Sequence, residues 1–290
     1  MLIAGPTASG KSSTALEIAE RSGQRGRPAM IVNADSMQVY DALRVLTARP
    51  SPADEMRALH RLYGHVAAEA RYSAGAWLRD LAVVLKEAQE SSQLPILVGG
   101  TGLYFKAATE GLAATPVVPR EVRERWSAQL AAGGAAALHA ELRKRDPAAA
   151  ASIRPTDPQR LARALEVLEA TGRPLAEWRQ RQHPPLLTGN VACFVFEPDR
   201  AQLYQGIENR FDKMVDAGAL DEVRALLARG LDPALPVMKA IGVRAFSAFL
   251  SGEIALGAAV EKAKTESRRY AKRQMTWFRN QMRGWERVRS

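Results

Sequence analysis

The stretch MLIAGPTASGKSS, Met1–Ser13, decides the fold. Leu2–Ala4 is a short apolar run that reads as a buried strand, and Leu16 and Ala19 supply the apolar face of a helix running from about Gly10 to Arg21. Between them GPTASGKS fits the pattern GxxxxGK[ST] from Gly5 to Ser12. Strand, glycine-rich loop and helix in that order make a phosphate cradle. Gly5 and Gly10 let the backbone amides of the loop, which Pro6, Thr7, Ala8 and Ser9 complete, converge on phosphate oxygens, and the helix N-terminus adds its positive dipole end. Lys11 neutralises charge, and the Ser12 hydroxyl is a candidate ligand for Mg²⁺. The ligand is thereby a di- or triphosphate, whereas the group attached to it is left open.

Outward from the cradle, further short apolar runs read as strands at Ala29–Ala34, Leu94–Gly100 and Val191–Phe196. A helix from a Ser73 cap through AWLRDLAVVLKEAQE precedes the second of these, and a helix from near Asp199 to Arg229–Gly230 follows the third. Strands alternating with amphipathic helices predict an α/β fold, a parallel sheet flanked by helices. The region from about Val117 to Pro185 offers no convincing strand and reads as an all-helical insertion. Its best element is DPQRLARALEVLEATGRP: Asp157 caps, Pro158 suits the first turn, Leu161, Leu165 and Leu168 form one face, and Gly172 with Pro174 ends it. The expected division is a core of residues 1–116 with 190–290, and an insertion of residues 117–189.

The 290 residues carry a net charge of +10, more than solubility requires, which points to a polyanionic partner. The last thirty residues hold +7 of it, with Tyr270, Trp277, Phe278 and Trp285 interleaved among the bases. That pattern is either a nucleic-acid surface or a solvated helix whose aromatics pack inward. One cysteine, Cys193, and four histidines give neither a disulfide nor a zinc cluster. With no signal peptide and no apolar run of membrane-spanning length visible, a cytoplasmic protein with no membrane contact is expected.

Two other stretches carry candidate chemistry. NADSMQVY places Asp35 just after the second strand, at the sheet edge where such folds bind ligands, as a general base, a carboxylate near Mg²⁺, or a helix cap. VGGTGLYF at Val98–Phe105 sets Thr101 in a second glycine-rich loop, which a tight strand-to-helix turn would also explain.

Taken together and in order, GPTASGKS, NADSMQVY, RYSAGAW, LVGGTGLYF, RPTDPQRLARALEV and AIGVRAF resemble the bacterial tRNA dimethylallyltransferases, or tRNA isopentenyltransferases, over nearly the whole chain. The resemblance implies transfer of a dimethylallyl group from dimethylallyl diphosphate to N6 of adenosine 37 in the tRNA anticodon loop, with Mg²⁺, by a P-loop fold carrying a helical insertion. It implies Asp35 as the base that takes the amino proton, Thr101 bonding near the bridging diphosphate oxygen or to Asp35, and Arg210 with the cradle holding the diphosphate. The acceptor adenine, flipped from its stack into a channel between core and insertion, would meet Ser36, Met37 and Gln38, Gln38 pairing with the adenine edge. Arg123 and the run Gln159, Arg160, Leu161, Ala162 and Arg163 would lie on the tRNA, and the basic C-terminal segment would grip phosphates of the anticodon stem. A monomer is expected.

The chain departs from the family pattern at LTARP, Leu46–Pro50, usually nearer GTAKP; near Asp41, where a glycine is usual; and at Gly206, often an arginine. Two rival readings remain at this level: an ATP-dependent kinase of a small metabolite, and a non-catalytic RNA-binding module gated by a nucleotide.

Overall fold

A computed structural model describes residues 1–113, 116–180 and 182–289. The chain divides into two units, Met1–Thr109 with Leu186–Ser290, and Glu110–Pro185. Both boundaries fall a few residues earlier in the chain than those drawn from helical patterning, at 110 instead of 117 and at 185 instead of 189. The reason is a two-residue antiparallel pair that belongs to the helical unit and was invisible as hydrophobic periodicity.

The first half of the large unit runs β1 (Leu2–Ala4), α1 (Lys11–Gln24), β2 (Ala29–Asn33), α2 (Pro52–Arg57), β3 (Leu59–Arg61), α3 (Ala74–Glu90), β4 (Leu94–Gly99) and α4 (Gly102–Glu110). The helical unit contains β5 (Leu112–Ala113), α5 (Arg120–Arg145), α6 (Pro147–Ser152), α7 (Pro158–Thr171), α8 (Leu175–Gln180) and β6 (Gln182–His183). The large unit resumes with β7 (Cys193–Phe196), α9 (Arg200–Asp216), α10 (Ala219–Ala228), a short 3₁₀ turn at Val237–Lys239, α11 (Val243–Leu250), α12 (Leu256–Gln281) and β8 (Glu286–Val288).

Six strands form one parallel sheet in the order β3-β2-β4-β1-β7-β8. Side chains alternate between its faces, as strand geometry requires. Leu2, Ala4, Met30, Val32 and Leu97 pack with α3 through Trp77, Leu81 and Val84, whereas Ile3, Ile31, Ile96 and Val98 pack with α1 through Leu16 and Ala19. Both faces are covered, so the central strands are almost wholly apolar, with buried Asn33 at the end of β2 the polar exception among their buried residues. The Ser73 hydroxyl caps α3 by accepting from Ala76 N–H at 3.2 Å, as its sequence position predicts.

One sequence expectation needs correction, and two features were not read from the sequence. The helix drawn from Asp199 to Gly230 is two helices: Gly218 takes φ +94°, which ends one and starts the next. Edge strands β3 and β8 were not anticipated, because three residues with exposed or half-buried side chains leave no apolar run. In the helical unit, α5 is broken at Gly134, with φ +68°.

The helical unit has its own core of Trp126, Leu138, Leu142, Leu161 and Leu165, among others. Asp157 caps α7 by accepting from Arg160 N–H at 3.1 Å, and Gly172 at φ +68° closes it. Leu161 is fully buried there, so Leu161→Ala is expected to destabilise the unit by about 2–5 kcal/mol, read as a lowered urea midpoint of the far-ultraviolet circular dichroism signal. A midpoint unchanged from the unsubstituted chain would contradict that packing.

Among the described residues no helix is long and apolar enough to cross a membrane.

Candidate active site

The strand order brings the chemistry together. β2, β4 and β1 are neighbours, so the loops leaving their carboxyl ends, which carry Asp35, Thr101 and the cradle, lie side by side at one sheet edge. The loops are also laced to one another by backbone bonds: Thr101 N–H donates to Ala34 O at 3.1 Å and Gly5 N–H to Gly99 O at 3.2 Å. Such close passage explains Gly99, where a Cβ would sit 2.0 Å from the Ala34 carbonyl oxygen. The glycine serves the approach of two backbones here, not a positive-φ turn.

The loop from Gly5 to Ser12 has the cradle shape, with Ala8 at φ +61° and Gly10 at φ +81°. Lys11 reaches back so that Nζ donates to Pro6 O at 3.0 Å. Arg210, on the face of α9 that also presents Ile207, Phe211 and Met214, donates to the Thr7 hydroxyl at 2.5 Å. These groups and Asp35 share one cavity of about 270 Å³, lined as well by Ser12, Ser36, Met37, Gln38, Lys239, Tyr270 and Arg273.

Two cations close together and shielded from water raise each other's cost of being charged. The Lys11 ammonium is accordingly brought down from 10.5 to about 8, chiefly by burial and next by Arg210, with Asp35 opposing the fall. Burial likewise lowers Arg210 from its ordinary value, again against Asp35. An anion bound between them reverses the effect. Around pH 8–9 part of the Lys11 population is neutral in the free protein, so binding of inorganic diphosphate should draw a proton onto it. The check is calorimetry in buffers of different ionisation enthalpy: the unsubstituted chain takes up more protons than Lys11→Met in this window, and the two converge at lower pH. Equal uptake throughout would contradict the assignment.

Asp35 is held, not merely near. Asn33, fully buried, accepts Asp35 N–H at 2.8 Å and donates to Asp35 O at 2.9 Å, and Trp77 Nε1 donates to Asn33 O at 2.8 Å. Asp35 Oδ1 accepts Met37 N–H at 2.9 Å in a local turn. No helix follows, so the helix-cap alternative falls away. Thr101 bonds to the residue after Asp35, accepting Ser36 N–H at 2.9 Å and donating to Ser36 Oγ at 3.2 Å. Its hydroxyl thus fixes the Asp35–Ser36 turn rather than the Asp35 carboxylate itself.

Several expected tRNA contacts are differently engaged. Gln38 lines the cavity, but its Nε2 donates to Thr47 O at 2.9 Å and Ala48 O at 2.8 Å, so paired contact with an adenine edge requires releasing both bonds. In the helical unit, Arg123 Nε and Nη2 donate to Val118 O at 3.2 and 2.7 Å. Arg160 pairs with Asp157 at 3.4 Å and Arg163 with Glu166 at 3.4 Å. Gln159 and Arg160 are exposed and Ala162 half-buried, whereas Leu161 lies in the core and offers a partner no side chain.

The C-terminal segment is corrected most. Its aromatics are not stacking platforms: Phe278 is buried, Trp277 covers Gly102, and Trp285 meets Phe105 edge-on. Lys264 and Arg268 point inward to Asp212 and Glu208, each at 2.6 Å. Lys262, Arg269, Lys272, Arg273 and Arg283 form the exposed face of α12 and the chain just beyond it. Tyr270 lines the cavity and Gln274 turns toward the cradle, and the Tyr270 phenol is pushed up by burial and then by the Asp35 charge, with Thr101 opposing the rise. Sequence reasoning read Tyr270 as an aromatic of a nucleic-acid surface and missed Gln274 and Lys239; the four-residue spacing of Tyr270 and Gln274 was the available signal.

The departures from the family pattern have local explanations. Glu222 accepts the N–H groups of Arg44, Val45 and Leu46 at 2.8, 2.8 and 2.9 Å, which with Gln38 holds the loop through Ala48, itself at φ +54°. Gly206 faces the cradle, where a Cβ would lie 3.4 Å from Ala8 O, while Arg273 and Lys239 bring other cations to the cavity.

The sequence and architecture have close counterparts. The model of the family described as IPP transferase matches residues 38–281. A tRNA dimethylallyltransferase of Bradyrhizobium sp. (strain ORS 278) is 55% identical over 283 residues, covering 97% of this chain and 90% of the relative. One from Rhizobium etli (strain CIAT 652) is 53% identical over 290 residues, covering 99% and 96%. Among solved structures, the tRNA isopentenylpyrophosphate transferase of Bacillus halodurans superimposes with a TM-score of 0.69 at 32% identity, over 99% of this chain and 88% of that one. A eukaryotic dimethylallyltransferase acting on tRNA gives a TM-score of 0.81 at 25% identity, over 99% and 73%. Agreement of this extent, in sequence and in three dimensions, establishes that the chain belongs to the IPP transferase family.

Proposed function

We propose that the chain transfers a dimethylallyl group from dimethylallyl diphosphate to N6 of adenosine 37 in the tRNA anticodon loop. The observation that carries this reading is the convergence of a phosphate cradle, the cations Lys11 and Arg210 and a fixed carboxylate on one cavity. A non-catalytic module gated by a nucleotide would need the cradle but leave the Asp35 turn, held by Asn33, Trp77 and Thr101, without a chemical role, and a small-metabolite kinase would not need the basic C-terminal segment.

In the reaction N6 attacks the allylic carbon, the new C–N bond forms as the carbon–oxygen bond breaks, and that electron pair leaves with the diphosphate. Negative charge grows on the departing oxygens, where Lys11, Arg210 and the cradle amides stabilise it. The exocyclic amine is a weak nucleophile because its lone pair is delocalised into the ring, so Asp35 takes its proton as the bond forms. Thr101 keeps Asp35 and Ser36 in place. The Ser12 hydroxyl on the same cavity would hold Mg²⁺ together with the diphosphate oxygens, and the ion would supply further charge neutralisation for the leaving group. Gln159 and Arg160, the exposed members of their run, and the basic outer face of α12 are the groups we assign to the tRNA backbone. We assign the chain as a monomer acting on tRNA in the cytoplasm.

The test is transfer of radiolabelled dimethylallyl from its diphosphate to an anticodon stem-loop RNA with Mg²⁺. Label on the RNA, at N6 of the target adenosine after digestion, is the expected result. Absence of label, with ATP turnover in its place, would overturn the reading in favour of a kinase.

A further inference from the structure

Gln274 of α12 is 5% exposed, and its side chain joins two loops that no stretch of sequence connects. Its Oε1 accepts Thr7 N–H in the cradle at 3.0 Å, and its Nε2 donates to Gly100 O at 2.9 Å. The orientation of the amide is fixed by its partners, since a backbone N–H needs an acceptor and a carbonyl needs a donor. The fit is close: a Cβ at Gly100 would lie 2.1 Å from Nε2.

Each bond continues into the site. On one side the Thr7 hydroxyl accepts from Arg210. On the other, Gly100 precedes Thr101, whose hydroxyl holds Ser36 beside Asp35. The Gln274 amide therefore adds a side-chain tie between the cradle and the loop that holds the Asp35 turn, beside the backbone bonds Gly5 N–H to Gly99 O and Thr101 N–H to Ala34 O. It touches no reacting atom, yet it fixes the separation that attack on an allylic carbon depends on: the amine and its base on one side of that carbon, the diphosphate on the other. Of the side chains of this length only glutamine both accepts and donates without charge. Glutamate loses the donor, and methionine loses both.

We propose that Gln274 is a positioning residue that sets the distance between the diphosphate cradle and the Asp35 turn, and so governs the rate of C–N bond formation rather than the affinity for either substrate. The inference rests on the proposed transfer reaction.

The experiment is single-turnover transfer from saturating labelled dimethylallyl diphosphate to an anticodon stem-loop RNA, with Gln274→Glu and Gln274→Met beside the unsubstituted chain. Rates are expressed per donor-binding site counted by retained label, so that a partly unfolded preparation does not pass for a slow one. Both variants are expected to slow transfer by about 100-fold, the scale on which an ångström of misplacement acts, with donor and RNA affinities little changed. The glutamate variant should recover relative to the unsubstituted chain as the pH falls, because a protonated carboxyl regains the donor for Gly100 O, whereas the methionine variant should not. Rates per site within twofold of the unsubstituted chain in both variants would overturn the role of Gln274 while leaving the reaction intact. A loss confined to donor affinity would overturn it as well. No transfer by the unsubstituted chain would overturn the reaction itself, and the role with it.

Discussion

Asp35→Ala is expected to lower dimethylallyl transfer by about 10²–10⁴-fold, the range over which a positioned general base acts, with donor and RNA binding retained. Asp35 is the carboxylate on the cavity wall, and the bonds from Asn33 and Met37 fix its direction. Alanine removes both the proton acceptor and the turn contact, so Asp35→Asn is the sharper control. The asparagine oxygen can still accept Met37 N–H, but the side chain takes no proton at neutral pH. Both variants should be slow in single-turnover transfer, and filter binding of the stem-loop RNA should be unchanged. Near-normal transfer by Asp35→Asn would remove Asp35 from the chemistry and leave it a turn residue.

The second large effect is expected at Lys11. Lys11→Met keeps the length of the side chain and removes the charge, and should lower transfer by about 10²–10³-fold, comparable with loss of one donor to a developing oxyanion. The loss should appear in kcat/KM for dimethylallyl diphosphate and persist at saturating donor, because the charge on the departing diphosphate is larger in the transition state than in the bound substrate. Arg210, whose Nη2 donates to the Thr7 hydroxyl, already contributes its own charge to the departing diphosphate and so does not make up the loss. A defect that vanished at saturating donor would make Lys11 a binding residue alone.

Both expectations rest on groups whose residue types are plain in the sequence. GPTASGKS between a short apolar run and an amphipathic helix determined the cradle, because backbone geometry around closely spaced glycines follows from local sequence alone. The apolar strands and the capped helices α3 and α7 were legible for the same reason: periodicity and capping act over a few residues. The sequence also placed Asp35 and Thr101 each just after a strand.

Only the tertiary structure decided that these loops are neighbours. Strand order β2-β4-β1 depends on which strands pair edge to edge and how the connecting helices cover the two faces, a contest among distant segments that no local pattern records. The same holds for α12. Its positive charge and aromatic spacing were visible, but whether an aromatic stacks on a nucleic acid or packs in the core depends on what faces it, and here Gly102 and Phe105 do. Glutamine is unremarkable by composition. Gln274 acquires its meaning because the packing of α12 against the sheet buries it between Thr7 and Gly100, where a buried amide must find both an acceptor and a donor for its hydrogen bonds.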